Sequence, residues 1–388
     1  MLVERMRAHT STIFAEMSAL ALRTGAINLG QGFPDTDGPA SLLEDAAANI
    51  KGGINQYPPG VGVPELRTAV AEHQRRLYGL DVDPDTVLIT TGATEAIASA
   101  VLALCEAGDE VVAFQPYYDS YAATIALAGA VIRPVPLRPN GSTFAFDPDE
   151  LRAAFSSRTR VVLVNTPHNP TGTVLDREQL TLIGELAAEH DAVIVTDEVY
   201  EHMIYDGRPH VPMATLPPGL AERTLTISSV GKTFSVTGWK VGWVSGPAEL
   251  VSAVRAVKQF LTYVSGAPFQ PAIATALGLP DSFYAQLAGD LQRKRDLLSG
   301  GLREAGFTVF DTAGTYFVVT DVTPLGFTDG AEFCWSLPEK VGVAAVPVSV
   351  FCADPELGRS LVRFAFCKRD EVLAEAASRL VALRAAAG

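Results

Sequence analysis

Seven short apolar runs, separated by amphipathic segments, constrain the fold of this chain more than any other feature of its sequence. Val, Ile and Thr are frequent in these runs, and several of the segments between them repeat apolar residues at helical spacing. Continuous β-branched runs that alternate with helices indicate an α/β fold with a mostly parallel sheet, covered by helices on both faces. The predicted strands are residues 86–92, 109–116, 130–137, 160–167, 192–199, 224–230 and 241–246.

The chain is 388 residues long, which is enough for two domains with separate cores. After residue 280 a long helical stretch leads into shorter strands and a closing helix, a pattern typical of a smaller α+β domain. We therefore predict a large domain over residues 41–285 and a small C-terminal domain over residues 286–388. Residues 1–40 are too few for a domain of their own, and we expect them to pack on the small one.

Charge and hydropathy argue against two classes of partner. The chain carries 30 basic and 44 acidic residues, a net charge of -14, and has no basic stripe that could neutralise a nucleic-acid backbone. No apolar run approaches the ~20 residues that a membrane span needs. The N-terminus also lacks the apolar core and cleavage site of a signal peptide. We expect a cytoplasmic protein that binds neither nucleic acid nor membrane.

Cysteine and histidine spacing argues against metal and serine hydrolase chemistry. The four cysteines form no C-x-x-C pair, and their apolar neighbours suggest buried, reduced thiols. None of the six histidines stands four residues from another, and no G-x-S-x-G motif is present. The sequence therefore predicts no metal site.

The chemistry is expected where the predicted strands end, because ligands of open α/β sheets bind at the carboxyl ends of the strands. In TTGATEA (90–96) a strand ends in glycine, and a helix begins near Thr94. The backbone N–H groups of Ala93 and Thr94 would suit a phosphate group at that helix N-terminus. Ordinary helix capping is the alternative for this motif.

Two further loops carry polar groups that a buried sheet edge does not need. Asn169 lies in NTPHNPTG (165–172), for which a tight turn is the plain alternative. The neighbouring His168 is interpreted as filling space. Asp197 ends the strand before TDEVY (196–200), and a carboxylate there is either structural or holds a cation. The residues alone leave both alternatives open.

Lys232 stands out among the seven lysines. It follows a predicted strand, is flanked by small residues in SSVGKTFSVTGWKVGW (228–243), and precedes an apolar strand, whereas most lysines are solvated surface groups. A lysine in partly dry surroundings has a lowered pKa and can form a Schiff base. Lys240 lies eight residues further on and could offer a second cation to a phosphate group.

Taken together and in order, these motifs resemble the fold type I pyridoxal-phosphate aminotransferases of class I/II. The motifs are G-A-T, QPYYDSY, NTPHNPTG, DEVY and S-x-x-K-T-F-x-x-T-G-W-K-x-G-W, and the likeness runs from residues 27–35 to residues 361–370. Within the group the chain is most similar to the kynurenine, glutamine and methionine aminotransferases and to N-succinyldiaminopimelate aminotransferases. The resemblance implies a mostly parallel seven-stranded sheet, a smaller α+β domain and pyridoxal 5'-phosphate as cofactor.

The resemblance also implies a role for each polar group around the cofactor. Lys232 would form the Schiff base and then move the substrate proton. Asp197 would pair with the protonated pyridine nitrogen, Asn169 and Tyr200 would hydrogen-bond the ring's phenolic oxygen, and Tyr118 would stack on the ring. The phosphate would be held by Ala93, Thr94, Ser229 and Lys240, and by Tyr57 of the neighbouring subunit.

On the substrate side, Arg363 would bind the α-carboxylate as a bidentate fork, with Asn169 beside it. Gly32 would let the backbone approach the same carboxylate. Phe14 and Tyr263 would line an apolar side-chain pocket, although a core aromatic is the plain alternative for Phe14. Tyr57 implies an active homodimer with shared sites.

The function implied is transfer of an amino group from an L-amino acid, or from N-succinyldiaminopimelate, to a 2-oxo acid such as 2-oxoglutarate by a ping-pong mechanism. The alternative on the same fold is a pyridoxal-phosphate-dependent C–S or β-lyase, which the fold alone does not separate from an aminotransferase. A transcription regulator built on this fold is disfavoured by the acidic charge and by the short segment before GQGFP.

Overall fold

A computed structural model describes residues 2–10, 12–217 and 219–386. Its large sheet contains the seven strands that the apolar runs predict, with each strand end within two residues of the predicted one. We number them in chain order: β1 Val87–Thr90, β2 Glu110–Gln115, β3 Val131–Pro136, β4 Thr159–Asn165, β5 Val193–Asp197, β6 Thr224–Ser229 and β7 Gly242–Ser245.

The strand order in this sheet is β1-β7-β6-β5-β4-β2-β3. Only β7 runs antiparallel to its neighbours, and every other pair is parallel. Consecutive residues of β4 enter different cores, with Val161 and Leu163 in one and Val162 and Val164 in the other. The sheet is therefore buried on both faces, which is why its strands are continuously apolar. The predicted fold class is confirmed.

The helices pack mainly on the two faces and edges of this sheet or on the small domain. The one after β1 begins at Gly92, which has a φ of +73° that an L-side chain rarely adopts. The helices are Ile13–Thr24, Ala40–Lys51, Pro64–Tyr78, Gly92–Leu104, Asp119–Ala128, Pro148–Ala154, Arg177–Glu189, Val230–Thr233, Ala248–Leu261, Phe269–Leu277, Asp281–Glu304, Gly330–Val341 and Asp370–Ala386. Within the described ranges none of them is long and apolar enough to cross a bilayer.

A second, antiparallel sheet lies in the C-terminal part of the chain. Its strands are β8 Thr308–Val309, β9 Phe317–Asp321, β10 Val346–Pro347 and β11 Leu361–Ala365, in the order β8-β9-β11-β10. A short hairpin, formed by Arg138–Asn140 and Thr143–Ala145, follows β3 in the chain.

The N-terminal segment packs on the C-terminal part of the chain, which contains this antiparallel sheet. Ile27–Asn28 pairs in parallel with Val343–Ala344, and Met17 and Leu29 are buried in the same core as Phe333. The limits of the two domains stay a prediction, since packing alone does not define them.

Candidate active site

The carboxyl ends of the parallel strands meet at one edge of the large sheet, where they border a cavity that the small domain closes from the other side. Twelve of the fourteen site residues predicted from the sequence line this cavity. They are Phe14, Gly32, Ala93, Thr94, Tyr118, Asn169, Asp197, Tyr200, Ser229, Lys232, Lys240 and Arg363. The remaining two, Tyr57 and Tyr263, lie elsewhere.

Lys232 presents its amine to the cavity. It lies in the short helix Val230–Thr233 directly after β6, and its Nζ is 5.7 Å from the ring centroid of Tyr200 and 5.6 Å from that of Tyr316. Two other lysines with little exposed surface, Lys258 and Lys368, donate to backbone carbonyl oxygens instead. Burial lowers the pKa of Lys232 to about 8, and nearby acidic groups only partly oppose that effect.

Asp197 ends β5 as a buried carboxyl group held by its neighbours. Tyr121 donates a hydrogen bond to Asp197 Oδ2 at 2.5 Å, and the Val199 N–H reaches Oδ1 at 3.4 Å. Burial raises the pKa of Asp197, while the hydrogen bond from Tyr121 and the charge of Lys232 lower it. A buried carboxylate in this position would gain strongly from a cationic partner inside the cavity.

A cradle for an anion lies at the start of helix Gly92–Leu104. The first three residues of this thirteen-residue helix, Gly92, Ala93 and Thr94, line the cavity, and the N–H groups of a helix N-terminus have no partner within the helix. A Cβ built on Gly92 would stand 3.2 Å from Lys240 Nζ, so the ammonium group lies against the helix N-terminus. Ser229 adds a hydroxyl group at the end of β6. These donors fit a phosphate group.

Arg363 is buried in the middle of β11, with only 1% of its surface exposed. Its Nη1 donates to Asn169 Oδ1 and its Nη2 to the Gly30 carbonyl oxygen, both at 2.9 Å, and its Cζ lies 3.9 Å from the ring centroid of Phe317. Within the described residues its Nε has no partner. Burial lowers the pKa of Arg363 to about 10. A buried guanidinium with an unused donor is suited to a carboxylate ligand.

The walls of the cavity bring backbone and rings close together. A Cβ on Gly32 would lie 2.6 Å from Phe317 Cζ, so this position needs glycine. The ring centroid of Phe14 lies 5.2 Å from Arg363 Cζ. The same ring packs against the core of the small domain, so Phe14 both lines the cavity and belongs to the core. Tyr118 stands edge-on to Tyr121, 5.8 Å between centroids.

Tyr57 and Tyr263 are placed outside the cavity of their own chain. The centroids of their two rings are 5.6 Å apart. The exposed fraction of the residue surface is 81% for Tyr57 and 46% for Tyr263. The single chain therefore does not bring these two side chains to the cavity.

Three residues that hold the site together by hydrogen bonds are missing from the sequence-based set. Tyr121 holds Asp197, Asn165 joins the Asp197 carbonyl oxygen to the Asn169 N–H, and Tyr316 donates to the Gly32 carbonyl oxygen. Tyr121 could have been found, because it lies one helical turn after Tyr118 and so faces the same side. Tyr316 had no comparable signal, since a β-sheet in another part of the chain positions it.

Known proteins are similar in sequence and in fold to nearly the whole chain. The profile of the family "Aminotransferase class I and II" matches residues 24–380. A probable N-succinyldiaminopimelate aminotransferase, DapC, of Mycobacterium tuberculosis is 54% identical over 99% of this chain and 98% of its own length. The methionine aminotransferase of Escherichia coli is 43% identical over 95% of both chains. The solved N-succinyldiaminopimelate aminotransferase of M. tuberculosis superimposes with a TM-score of 0.97 at 55% identity, covering 99% of this chain and all of the other.

Proposed function

Because this chain belongs to the class I and II aminotransferase family, we propose that it exchanges an amino group between N-succinyldiaminopimelate and 2-oxoglutarate. The chain is a pyridoxal-phosphate-dependent aminotransferase that acts on small molecules. A lyase function is not supported, since the similar proteins named above are aminotransferases. The substrate, the role of each side chain and the assembly are the proposal.

The cavity residues fit pyridoxal phosphate. When bound, this cofactor supplies an aldehyde carbon for amines and a pyridinium ring that withdraws electrons. The helix N-terminus at Gly92, with Lys240 and Ser229, would hold its phosphate, and Asp197 would hold its ring nitrogen. Tyr118 would lie on the ring face, and Asn169 and Tyr200 would bind its phenolic oxygen. Lys232 would be the lysine that holds it covalently.

Lys232 would also move the proton that the reaction requires. Its pKa of about 8 means that both the neutral amine and the ammonium form are populated near neutral pH. Its Nζ can then take a proton from the substrate Cα and return it, which is the behaviour of an efficient general acid–base. Arg363 would hold the substrate α-carboxylate while this happens.

The rate at which the cofactor-free enzyme captures pyridoxal phosphate is expected to rise with pH and level off above about 8. Only the neutral amine attacks an aldehyde, and an ordinary lysine would not level off below about 10.4. Stopped-flow absorbance measures this rate, with Nα-acetyl-lysine as the control for ionisation of the cofactor itself. A midpoint near that of the control would mean that Lys232 is not desolvated.

The charges of the cavity limit what the substrate can carry. Within the described part of the chain, the cations among its lining residues are Lys232, Lys240 and Arg363, and all three have roles above. Apart from these cations and Asp197, the lining residues are uncharged, and they include Phe14 and Gln31. This favours a donor with an uncharged chain near Cα, although the acceptor 2-oxoglutarate, whose second carboxylate is two methylene groups from Cα, has to fit the same cavity. The pimelate chain of N-succinyldiaminopimelate meets this condition.

Whole-chain similarity is the observation that carries the choice of substrate. Identity to the probable N-succinyldiaminopimelate aminotransferase is 54%, against 43% to the methionine enzyme and 37% to a mouse kynurenine–oxoglutarate transaminase. The test is a panel of amino donors with 2-oxoglutarate as acceptor, compared by kcat/KM. We expect N-succinyldiaminopimelate to exceed methionine, glutamine, kynurenine and unsuccinylated diaminopimelate by about tenfold or more. A higher value for any of these would contradict the proposal.

We also propose that the active unit is a homodimer. A single chain leaves the large apolar side chains of Phe260, Leu261 and Tyr263 exposed, and Tyr263 contacts the exposed Tyr57. Exposed apolar side chains of this size are typical of an interface. In a dimer, Tyr57 would reach the cofactor phosphate of the partner subunit. This arrangement would make cofactor binding and dimerisation support each other.

Tyr57→Phe is expected to weaken cofactor affinity about ten- to a hundredfold, because it removes one hydrogen bond to a charged group, worth about 1–3 kcal/mol. Equilibrium dialysis measures the affinity. The matched control is Tyr263→Phe, which keeps the ring contact and leaves Tyr57 intact. The sharper experiment mixes Tyr57→Ala with Lys232→Ala at low cofactor concentration. Hybrids should regain one intact site in two, and hybrids without activity would show that Tyr57 does not act across subunits.

A further inference from the structure

Three of the six histidines lie together with two glutamates outside the cofactor cavity. His73 comes from helix Pro64–Tyr78, while Glu198, Glu201, His202 and His210 belong to the segment after β5. His73 is 2% exposed and Glu201 8% exposed. Glu198 is already paired with His210, whose Nε2 lies 2.7 Å from its Oε2. The remaining three side chains have no assigned role in the aminotransferase reaction.

His73, His202 and Glu201 converge on one point. The Nε2 atoms of the two imidazoles stand 3.0 Å apart, and one ligand atom from each of the three residues lies within 4.8 Å of the others. Two nitrogen ligands of a tetrahedral zinc ion stand roughly 3.3 Å apart at bond lengths of about 2.0–2.1 Å. The rings therefore need to separate by only a few tenths of an ångström to admit such an ion.

Each ring has an oxygen near its Nδ1 that could accept a hydrogen bond. The Tyr284 hydroxyl donates to the Leu277 carbonyl oxygen at 3.2 Å and lies 3.5 Å from His73 Nδ1. The Tyr78 hydroxyl lies 3.4 Å from His202 Nδ1. Both imidazoles can therefore carry their proton on Nδ1 and present a bare Nε2, which is the tautomer that a metal ion at this point requires.

We propose that His73 Nε2, His202 Nε2 and a Glu201 carboxylate oxygen bind one zinc ion in each chain. Two imidazoles and a carboxylate are ligands that zinc prefers, and a tetrahedral ion would keep a fourth position for water. The Nδ1 contacts to Tyr284 and Tyr78 supply the outer hydrogen bonds that fix the ring orientation of metal-bound histidines. Ser228 does the same for Glu201, donating to Oε1 at 2.6 Å.

The protonation states of the three side chains are compatible with this ligation. Burial lowers the pKa of His73 to about 4 and that of His202 well below its usual value, so both imidazoles are neutral at physiological pH. Burial raises the pKa of Glu201, and a divalent cation beside it would offset this cost of burying its charge.

One of the three proposed ligands borders a surface cavity. His73 lines it together with the exposed Glu72, Arg76 and Gly278, at the junction of helix Pro64–Tyr78 with helix Phe269–Leu277. A bound ion would join the first of these helices to the turn that follows Asp197 and Tyr200. Its expected effect is therefore on the stability of the catalytic turn and not on the chemistry itself.

The test uses the holoenzyme, which is first freed of metal by dialysis against a chelator. It is then titrated with Zn²⁺ in the presence of a fluorescent zinc chelator, which competes with the protein for the ion and reports the free zinc. We expect one tightly bound ion per chain and a higher Tm with zinc. His73→Phe and His202→Phe should each weaken zinc binding by about a hundredfold or more, because the loss of even an outer hydrogen-bond partner of a ligand costs about 10–100-fold in metal affinity. His190→Gln, which changes a histidine that packs on Phe155 and does not belong to the cluster, is the matched control and should bind zinc normally.

X-ray absorption of the wild-type zinc complex tests the ligands without any variant that could misfold. Two imidazole nitrogens and at least one oxygen in the first shell are expected. Glu201→Gln provides a further variant, because it keeps an acceptor for Ser228 while removing the charge, and it should also weaken binding. The proposal is overturned by a wild-type enzyme that binds no zinc stoichiometrically, by binding that survives both histidine substitutions, or by a first shell without two imidazoles.

Discussion

Lys232→Ala is expected to lower turnover by at least about 10⁴-fold, because the variant loses both a covalent anchor and a general acid–base. Reduction of the wild-type holoenzyme with borohydride should fix the cofactor on the peptide that contains Lys232. The same treatment of the variant should leave the cofactor free. Mass spectrometry of the digested protein measures both outcomes, and turnover is followed with any donor that the wild-type enzyme accepts.

The control for this substitution comes from the other lysines with little exposed surface. Lys258 and Lys368 already donate to backbone carbonyl oxygens, so neither should carry the cofactor. Lys240→Ala should weaken phosphate binding while the reduced cofactor still appears on Lys232. A cofactor recovered on Lys258 or Lys368 of the wild-type enzyme would overturn the assignment of the whole site.

Asp197→Asn is expected to lower kcat/KM roughly a hundred- to several-thousandfold. Removing one partner of a buried charge pair costs about 3–5 kcal/mol, and each 1.4 kcal/mol is a factor of ten. The amide has nearly the shape of the carboxyl group and can still accept the hydrogen bond from Tyr121, so the lost quantity is the charge beside the ring nitrogen. Single-turnover kinetics with a saturating donor separate this effect from cofactor loss.

Tyr121→Phe is the matched control for Asp197, because it removes the hydrogen bond to Oδ2 and keeps the charge. A neutral hydrogen bond to a carboxylate contributes about 1.5–3 kcal/mol at most, so this variant should lose less activity than Asp197→Asn. Equal losses, or near-normal rates in Asp197→Asn, would mean that the carboxylate is structural.

The sequence predicts the large sheet well because its strands are buried on both faces. β4 illustrates this, since Val161 to Val164 face two cores in alternation and leave no polar position to obscure the strand. Site residues at strand ends, such as Asp197 and Lys232, are predictable for a related reason. They are polar or charged side chains that directly follow apolar strands, where parallel topology brings the ends together.

Contacts between segments that are distant in the chain could not be predicted from the sequence. The hydrogen bond from Tyr316 to Gly32 joins residues 284 positions apart, and the contact between the His73 and His202 rings joins residues 129 positions apart. No local period encodes either pair. The exposed position of Tyr263, which the resemblance assigns to the side-chain pocket, also has no local signal in the sequence, because exposure depends on the final packing of the chain.

A single half-reaction tests most directly whether the cavity built around Lys232 and Arg363 carries out transamination. The wild-type holoenzyme is mixed with N-succinyldiaminopimelate in the absence of any 2-oxo acid acceptor, and the products are counted. We expect one equivalent of the corresponding oxo acid per chain, no ammonia, and release of one equivalent of glutamate when 2-oxoglutarate is added afterwards. Continuous formation of oxo acid with release of ammonia, in the absence of acceptor, would contradict transamination at this site.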